Sequence, residues 1–178
     1  MQRIAVIGNA GGGKTTLSRL LGDSLGLPVH HVDSIQYRPG WERTPAAECD
    51  RELDGLAASA SWIIDGFGSG DAIERRLMVA DTVVFVDFSL PVHYWWACKR
   101  QWQSRRRQRV ELPENCPEFT LRYSWKLAKV MWEVHRDYRP WFGRLVEDLP
   151  DTISVVHIRS PKEWRAFASS LQTETKRG

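Results

Sequence analysis

The 178 residues are enough for one compact domain with a buried core, and 42% apolar with 26% charged residues excludes a disordered chain. A formal net charge of +3 is too small to argue by itself for a nucleic-acid partner. Cys49, Cys98 and Cys116 are widely separated and odd in number, which fits neither a disulfide framework nor zinc-ligand spacing, and no apolar run approaches the ~20 residues of a membrane span; the expectation is a soluble protein of the reducing cytoplasm.

In chain order, strand and helix patterns alternate. Arg3 to Gly8 reads as a short buried strand, and a helix from about Lys14 carries Leu17, Leu20, Leu21 and Leu25 on one face before Gly26 and Pro28 stop it. Val29 to Val32 reads as a second strand ending at Asp33. Thr44-Pro45 reads as an N-cap and first helical proline opening a helix to about Ser59. Trp62-Ile63-Ile64 is a third strand ending Asp65-Gly66, followed by a helix from Asp71 to Val79 and a fourth strand from Thr82 to Asp87. Pro91 opens a long helix that runs into an arginine cluster. Glu111 to Glu118, with two prolines, is a loop; Phe119 to Tyr138 returns to helical spacing; Ile153 to Ile158 is the last strand, and Pro161 starts a closing helix.

Such alternation predicts an α/β fold, a parallel sheet with helices on both faces. Residues 1–178 read as one domain, interrupted only by a lid-like insert at about 103–118.

Gly8-Asn9-Ala10-Gly11-Gly12-Gly13-Lys14-Thr15 fits G-x-x-x-x-G-K-[ST] at every fixed position, after a strand and at the opening of a helix. Glycines let successive backbone N–H groups turn inward around a phosphate, and the helix N-terminus adds partial positive charge. Lys14 can reach the β- and γ-phosphates, the Thr15 hydroxyl can ligate Mg²⁺, and Thr16 completes the nucleotide-binding set.

Ligands of open α/β sheets bind beyond the carboxyl ends of the strands, where Asp33, Asp65 and Asp87 fall. A Mg·nucleotide needs a nearby carboxylate. Asp65 is preferred because Gly66 permits close backbone approach, and Asp87 is second. Asp33 could position an acceptor hydroxyl or act as general base. Strand-end aspartates also cap turns, so each keeps a structural alternative. His30 and His31 precede Asp33 on opposite strand faces without metal spacing, and read as packed structural histidines.

Arg100, Arg105, Arg106, Arg107 and Arg109 crowd the end of the long helix and the loop after it. Mobile arginines can stabilise charge on a transferred phosphoryl group, which is the behaviour of a lid; a solvated face or a nucleic-acid patch are the alternatives. Trp95, Trp96, Trp102, Trp125 and Trp132 fall at helical spacing and read as core.

The phosphate loop, His31-Val32-Asp33, Arg38-Pro39-Gly40-Trp41, Trp62-Ile63-Ile64-Asp65-Gly66, Ala80-Asp81-Thr82 leading to Val86-Asp87-Phe88, and Lys99-Arg100 together resemble the adenylate-kinase-like P-loop family, and within it the bacterial DNA topology modulation protein branch. The resemblance extends to about Trp141. It implies a three-layer P-loop kinase fold whose five-stranded sheet has the order 2-3-1-4-5, an acceptor region after the second strand and a lid after the fourth. It carries Lys14, Thr15 and Asp65 over as nucleotide and Mg²⁺ residues. Adenylate kinases follow the third-strand Asp-Gly-Phe with Pro-Arg; here Gly68-Ser69 stands there, and Arg75 or Arg76 could replace that clamp.

Two functions follow as expectations. The first is an ATP- and Mg²⁺-dependent kinase with catalytic Lys14, Asp33, Asp65, Arg100 and Arg105, and with Asp33, Arg75, Arg107 and Arg139 toward a nucleotide or other small-molecule acceptor. The second is a nucleotide-dependent regulatory or DNA-associated protein with weak NTPase activity. No membrane partner is expected.

Overall fold

Apolar β-branched runs closed by glycine or aspartate favour strands buried on both faces, and the chain builds such a sheet. The computed structural model describes residues 1–104, 116, 117 and 119–175. Its elements in chain order are β1 (Arg3–Gly8), α1 (Lys14–Leu25), β2 (Val29–His31), α2 (Val32–Gln36), β3 (Tyr37–Arg38), β4 (Glu42–Arg43), α3 (Ala46–Ala57), β5 (Trp62–Asp65), α4 (Gly70–Val79), β6 (Thr82–Val86), α5 (Leu90–Ser104), α6 (Leu121–Glu133), a π-helical turn (Val134–Tyr138), α7 (Arg139–Glu147), β7 (Ser154–Ile158) and α8 (Pro161–Thr175).

The main sheet has the order β2-β5-β1-β6-β7, every pair parallel. Counting only its own strands, this is 2-3-1-4-5, as the resemblance implies. β1 lies at the centre, with Ile4 registered against Ile63 on one side and Thr82 on the other. Alternation along β1 divides the core. Ile4 and Val6 pack with Leu17, Leu21, Ala168 and Leu171 of α1 and α8. Ala5 and Ile7 face Leu53, Ile73, Leu77 and Phe142 of α3, α4 and α7. Each fully buried aliphatic side chain contributes roughly 1.5–3 kcal/mol. The result is a three-layer α/β architecture.

Several boundaries differ from the pattern reading. The second strand stops at His31, and Asp33 lies in the first turn of α2, where the Ser34 hydroxyl donates to the His31 carbonyl at 2.7 Å. Thr44 does not cap α3; its hydroxyl donates to the Ile35 carbonyl at 2.7 Å, tying the chain back across the β3–β4 ribbon. That ribbon went unread because two-residue strands leave no periodicity. The helical run to Tyr138 divides into α6 and a π turn, and α7 continues beyond it.

The tryptophans need a larger correction. Trp62 is fully buried, but Trp95, Trp102, Trp125 and Trp132 are exposed. Of the five read as core, only Trp96 is partly buried in a core cluster. Helical spacing identifies a face without saying whether that face turns inward, and α5 and α6 meet instead through Leu90, Ala97 and Met131. The insert at about 103–118 and its Arg105, Arg106, Arg107 and Arg109 lie, Gln103, Ser104, Cys116 and Pro117 apart, outside the described residues.

Candidate active site

The loop between β1 and α1 owes its shape to glycine at positions that admit nothing else. Gly8 has φ 131°, and a Cβ there would lie 2.2 Å from the Val86 carbonyl oxygen. Gly11 has φ 71°, and its Cβ would lie 2.4 Å from the His93 carbonyl oxygen. The backbone is thus pressed onto β6 and α5 from behind, which leaves its front open to the cleft. At the front, α1 begins without a side-chain cap, so its first-turn N–H groups face a ligand position with the positive end of the helix dipole.

Two side chains brace this loop. Asn9 is buried; its amide nitrogen donates to the Met131 carbonyl at 2.8 Å and its amide oxygen accepts from Ala10 N–H at 2.8 Å, joining the loop to α6. Lys14 folds back over the loop, its Nζ donating to the Asn9 carbonyl at 2.9 Å. An ammonium group held across a ring of backbone N–H groups matches an anion carrying several oxygens.

His93 packs behind the loop, its Cε1 3.2 Å from where a Gly12 Cβ would sit. Burial and then the neighbouring Lys14 charge push its pKa down to about 4; a hydrogen bond with the Ala10 backbone and the charge on Asp87 oppose this only in part. The imidazole is therefore neutral at physiological pH and adds no positive charge beneath the loop.

In front of the loop lies a cleft of about 1270 Å³. Residues Gly8 to Thr16 form its floor; Asp33 lines it from the first turn of α2, Asp65 from the end of β5 and Arg100 from α5. Asp65 is 5% exposed, and its Oδ2 lies 2.9 Å from His31 Nδ1, within hydrogen-bond distance. The structure thus brings Lys14, Thr15, Thr16, Asp33, Asp65 and Arg100 to one space.

Other expected site residues lie elsewhere. Asp87 does not line the cleft; it accepts from Arg139 Nε at 2.5 Å and faces His157 Nε2 at 3.3 Å. Arg139 is engaged in that pair. Arg75 is half exposed and donates to Asp54 at 3.0 Å. Arg76 is buried, and its Nη2 donates to the Gly66 carbonyl at 2.8 Å, which supports the chain just beyond Asp65. Burial pushes its pKa down to about 10 against the favourable charge of Asp65, so it remains cationic. Arg105 and Arg107 are outside the described residues.

An aromatic wall closes one side of the cleft. Trp41, the only non-glycine with positive φ among the described residues, has φ 64°. Its ring stacks on Tyr123 of α6 with centroids 4.9 Å apart, and Tyr37 meets it edge-on at 5.2 Å. Its backbone N–H donates to Cys116 Sγ at 3.3 Å. A bulky residue in this region is a genuine outlier and requires support from its surroundings. All these residues line the cleft except Cys116. Trp41 falls in the Arg38-Pro39-Gly40-Trp41 turn that the resemblance includes, but no motif shows what it meets, because Cys116 and Tyr123 are 75 and 82 positions away.

Among solved structures the chain is similar to shikimate kinase from Acinetobacter baumannii in complex with shikimate, with a TM-score of 0.58 and 14% identity over 99% of this chain and 94% of that one. The fold is that of a P-loop kinase. A candidate kinase from Chloroflexus aurantiacus is similar at a TM-score of 0.52 and 16% identity over 97% of this chain and 96% of that one. An uncharacterized protein from Eubacterium ventriosum is similar at 0.50 and 14% over 99% of both chains. No protein-family model matches the chain, and no curated protein matches it by sequence. Among the described residues no helix is long and apolar enough to cross a membrane.

Proposed function

We propose that this protein is an ATP-dependent kinase that moves the γ-phosphoryl group to a nucleotide or other small-molecule acceptor. The observation that carries the reading is the single cleft shared by the uncapped loop with Lys14 and by two carboxylates, Asp33 and Asp65. Phosphoryl transfer needs positioning and charge stabilisation more than covalent chemistry, and this cleft supplies both.

The nucleotide phosphates would take the place of the Asn9 carbonyl on Lys14 and fill the ring of backbone N–H groups. Among the described residues no cluster of three or more His, Cys, Asp or Glu side chains could hold a metal on its own. Mg²⁺ in a phosphate site needs only one or two protein oxygens beside the substrate's own, and Thr15 with Asp65 fits that requirement. Mg²⁺ bound there would neutralise phosphate charge. Asp33 accepts the proton of the acceptor hydroxyl as its oxygen bonds to phosphorus and the bond to the β–γ bridging oxygen breaks. Arg100, on the α5 wall, offsets charge on the transferred group.

The test is turnover of ATP·Mg²⁺ with a panel of nucleoside monophosphates and small alcohols. At least one acceptor is expected to be phosphorylated, with Lys14→Ala lowering the rate on the order of 100-fold or more. A wild type that gives no product above the Lys14→Ala control contradicts the reading.

Exposed Trp125 and Trp132 on α6 with the exposed Lys129 between them in sequence favour a second reading, a nucleotide-dependent regulatory or DNA-associated protein, since aromatic and cationic side chains together suit nucleic acid. It predicts DNA affinity that falls steeply with salt and is lost on replacing Arg105, Arg106 and Arg107; binding that ignores salt removes it.

A further inference from the structure

His31 and Asp65 are registered opposite one another on the parallel neighbours β2 and β5. Registered residues on adjacent parallel strands project to the same face of the sheet, so the two side chains meet without any bend in either strand. They do so at 2.9 Å, Nδ1 to Oδ2, with the side chains 15% and 7% exposed. A carboxyl group that deeply buried needs a hydrogen-bond partner, and the His31 ring nitrogen is the one placed against it. The remaining support comes through the chain: Arg76 holds the Gly66 carbonyl, and Gly66 N–H donates to the Val6 carbonyl at 3.2 Å. Asp65 therefore has its backbone fixed by the sheet and one oxygen fixed by His31. Among the described residues no hydrogen bond reaches its Oδ1.

We propose that His31 is a positioning residue: it occupies Oδ2 of Asp65 and so turns Oδ1 toward the Mg²⁺ hydration shell in the cleft. This inference rests on the kinase reading for the role of Asp65, and it makes a claim about metal dependence that can be read without any acceptor. Removing a partner that orients a ligating group typically costs about 10–100-fold in metal affinity or activity. His31 is also bound locally, its carbonyl accepting from the Ser34 hydroxyl, so the ring is presented from a fixed backbone at the point where β2 turns into α2.

The experiment is a Mg²⁺ titration of ATP binding to the full chain, followed by tryptophan fluorescence, with phosphoryl transfer measured in parallel. His31→Leu is expected to raise the Mg²⁺ midpoint about 10-fold or more, while ATP affinity at saturating Mg²⁺ changes less than about twofold. His31→Asn, whose amide nitrogen can stand near the Nδ1 position, is expected to recover most of the shift. In an Asp65→Asn background, His31→Leu should add nothing, because both substitutions act on one carboxylate. An unchanged midpoint in His31→Leu, a further shift in the Asp65→Asn background, or wild-type ATP binding indifferent to Mg²⁺ overturns the inference. A wild type that binds Mg·ATP normally and phosphorylates no acceptor defeats the kinase reading instead, and the binding arm still decides the role of His31. Should His31→Leu fail to fold, ¹⁵N-edited NMR of the wild type decides: a protonated, hydrogen-bonded Nδ1 supports the assignment, and an unprotonated Nδ1 overturns it.

Discussion

At the scale of single residues, the phosphate loop is defined by what cannot be there. A methyl group at Gly11 would need both a left-handed backbone and a 2.4 Å approach to the His93 carbonyl, so Gly11→Ala is expected to cost about 2 kcal/mol or more of stability, read as a lowered urea midpoint. His93 makes a second prediction. Its folded pKa lies at about 4 against an ordinary 6.5, so the unfolded chain takes up a proton below 6.5 that the folded chain refuses until about 4. Stability therefore falls as pH drops through that window, by up to about 3 kcal/mol, and is unaffected by this group above it. Urea unfolding at pH 7 and pH 4.5 checks this; His93→Gln should flatten the difference. Neither His93 nor His31 was legible as a site residue, since the first is defined by packing behind a loop and the second by strand register. The place of Lys14 and Thr15 on the cleft was legible from the local spacing of the glycine-rich loop, and that of Asp65 from its position at a strand end before Gly66.

At the scale of elements, the segment after β5 joins the site to the sheet. Ser69 caps α4, its hydroxyl accepting from Ala72 N–H at 3.2 Å and donating to Asp50 of α3 at 2.9 Å. Ser69→Ala removes the cap and is expected to cost about 1 kcal/mol, a fall of two to four degrees in the thermal midpoint of a chain this size. The π turn between α6 and α7 places Val134 and Tyr138 on the cleft, where an unbroken α-helix would turn them differently. Sequence pattern could not reveal it, because a π turn and an α-helix share nearly the same residue preferences. The strands of the main sheet, by contrast, were readable from short apolar runs, three of which (β1, β5 and β6) end in or next to glycine or aspartate. The failures clustered on the aromatic helices. There Trp95 and Trp102 on α5, like Trp125 and Trp132 on α6, repeat at helical spacing, yet the buried contacts run through Leu90, Ala97 and Met131.

At the scale of the whole molecule, the parallel sheet collects loop, carboxylates and arginine at one edge because every strand points the same way. The β3–β4 ribbon and α6 both line the cleft, and the Trp41–Tyr123 stack joins them. The order of the sheet was legible through the family resemblance, whereas the aromatic closure depends on residues that meet only in the folded chain. The proposed chemistry depends on the phosphate chain of a nucleotide as the group being gripped. Calorimetric titration of the wild type with ATP, ADP and adenosine in the presence of Mg²⁺ tests this most directly. Saturable one-site binding of ATP is expected, with adenosine weaker by at least about 10-fold, because Lys14 and the loop N–H groups have nothing to hold in a nucleoside. Adenosine binding as tightly as ATP, or ATP not binding, would contradict the account.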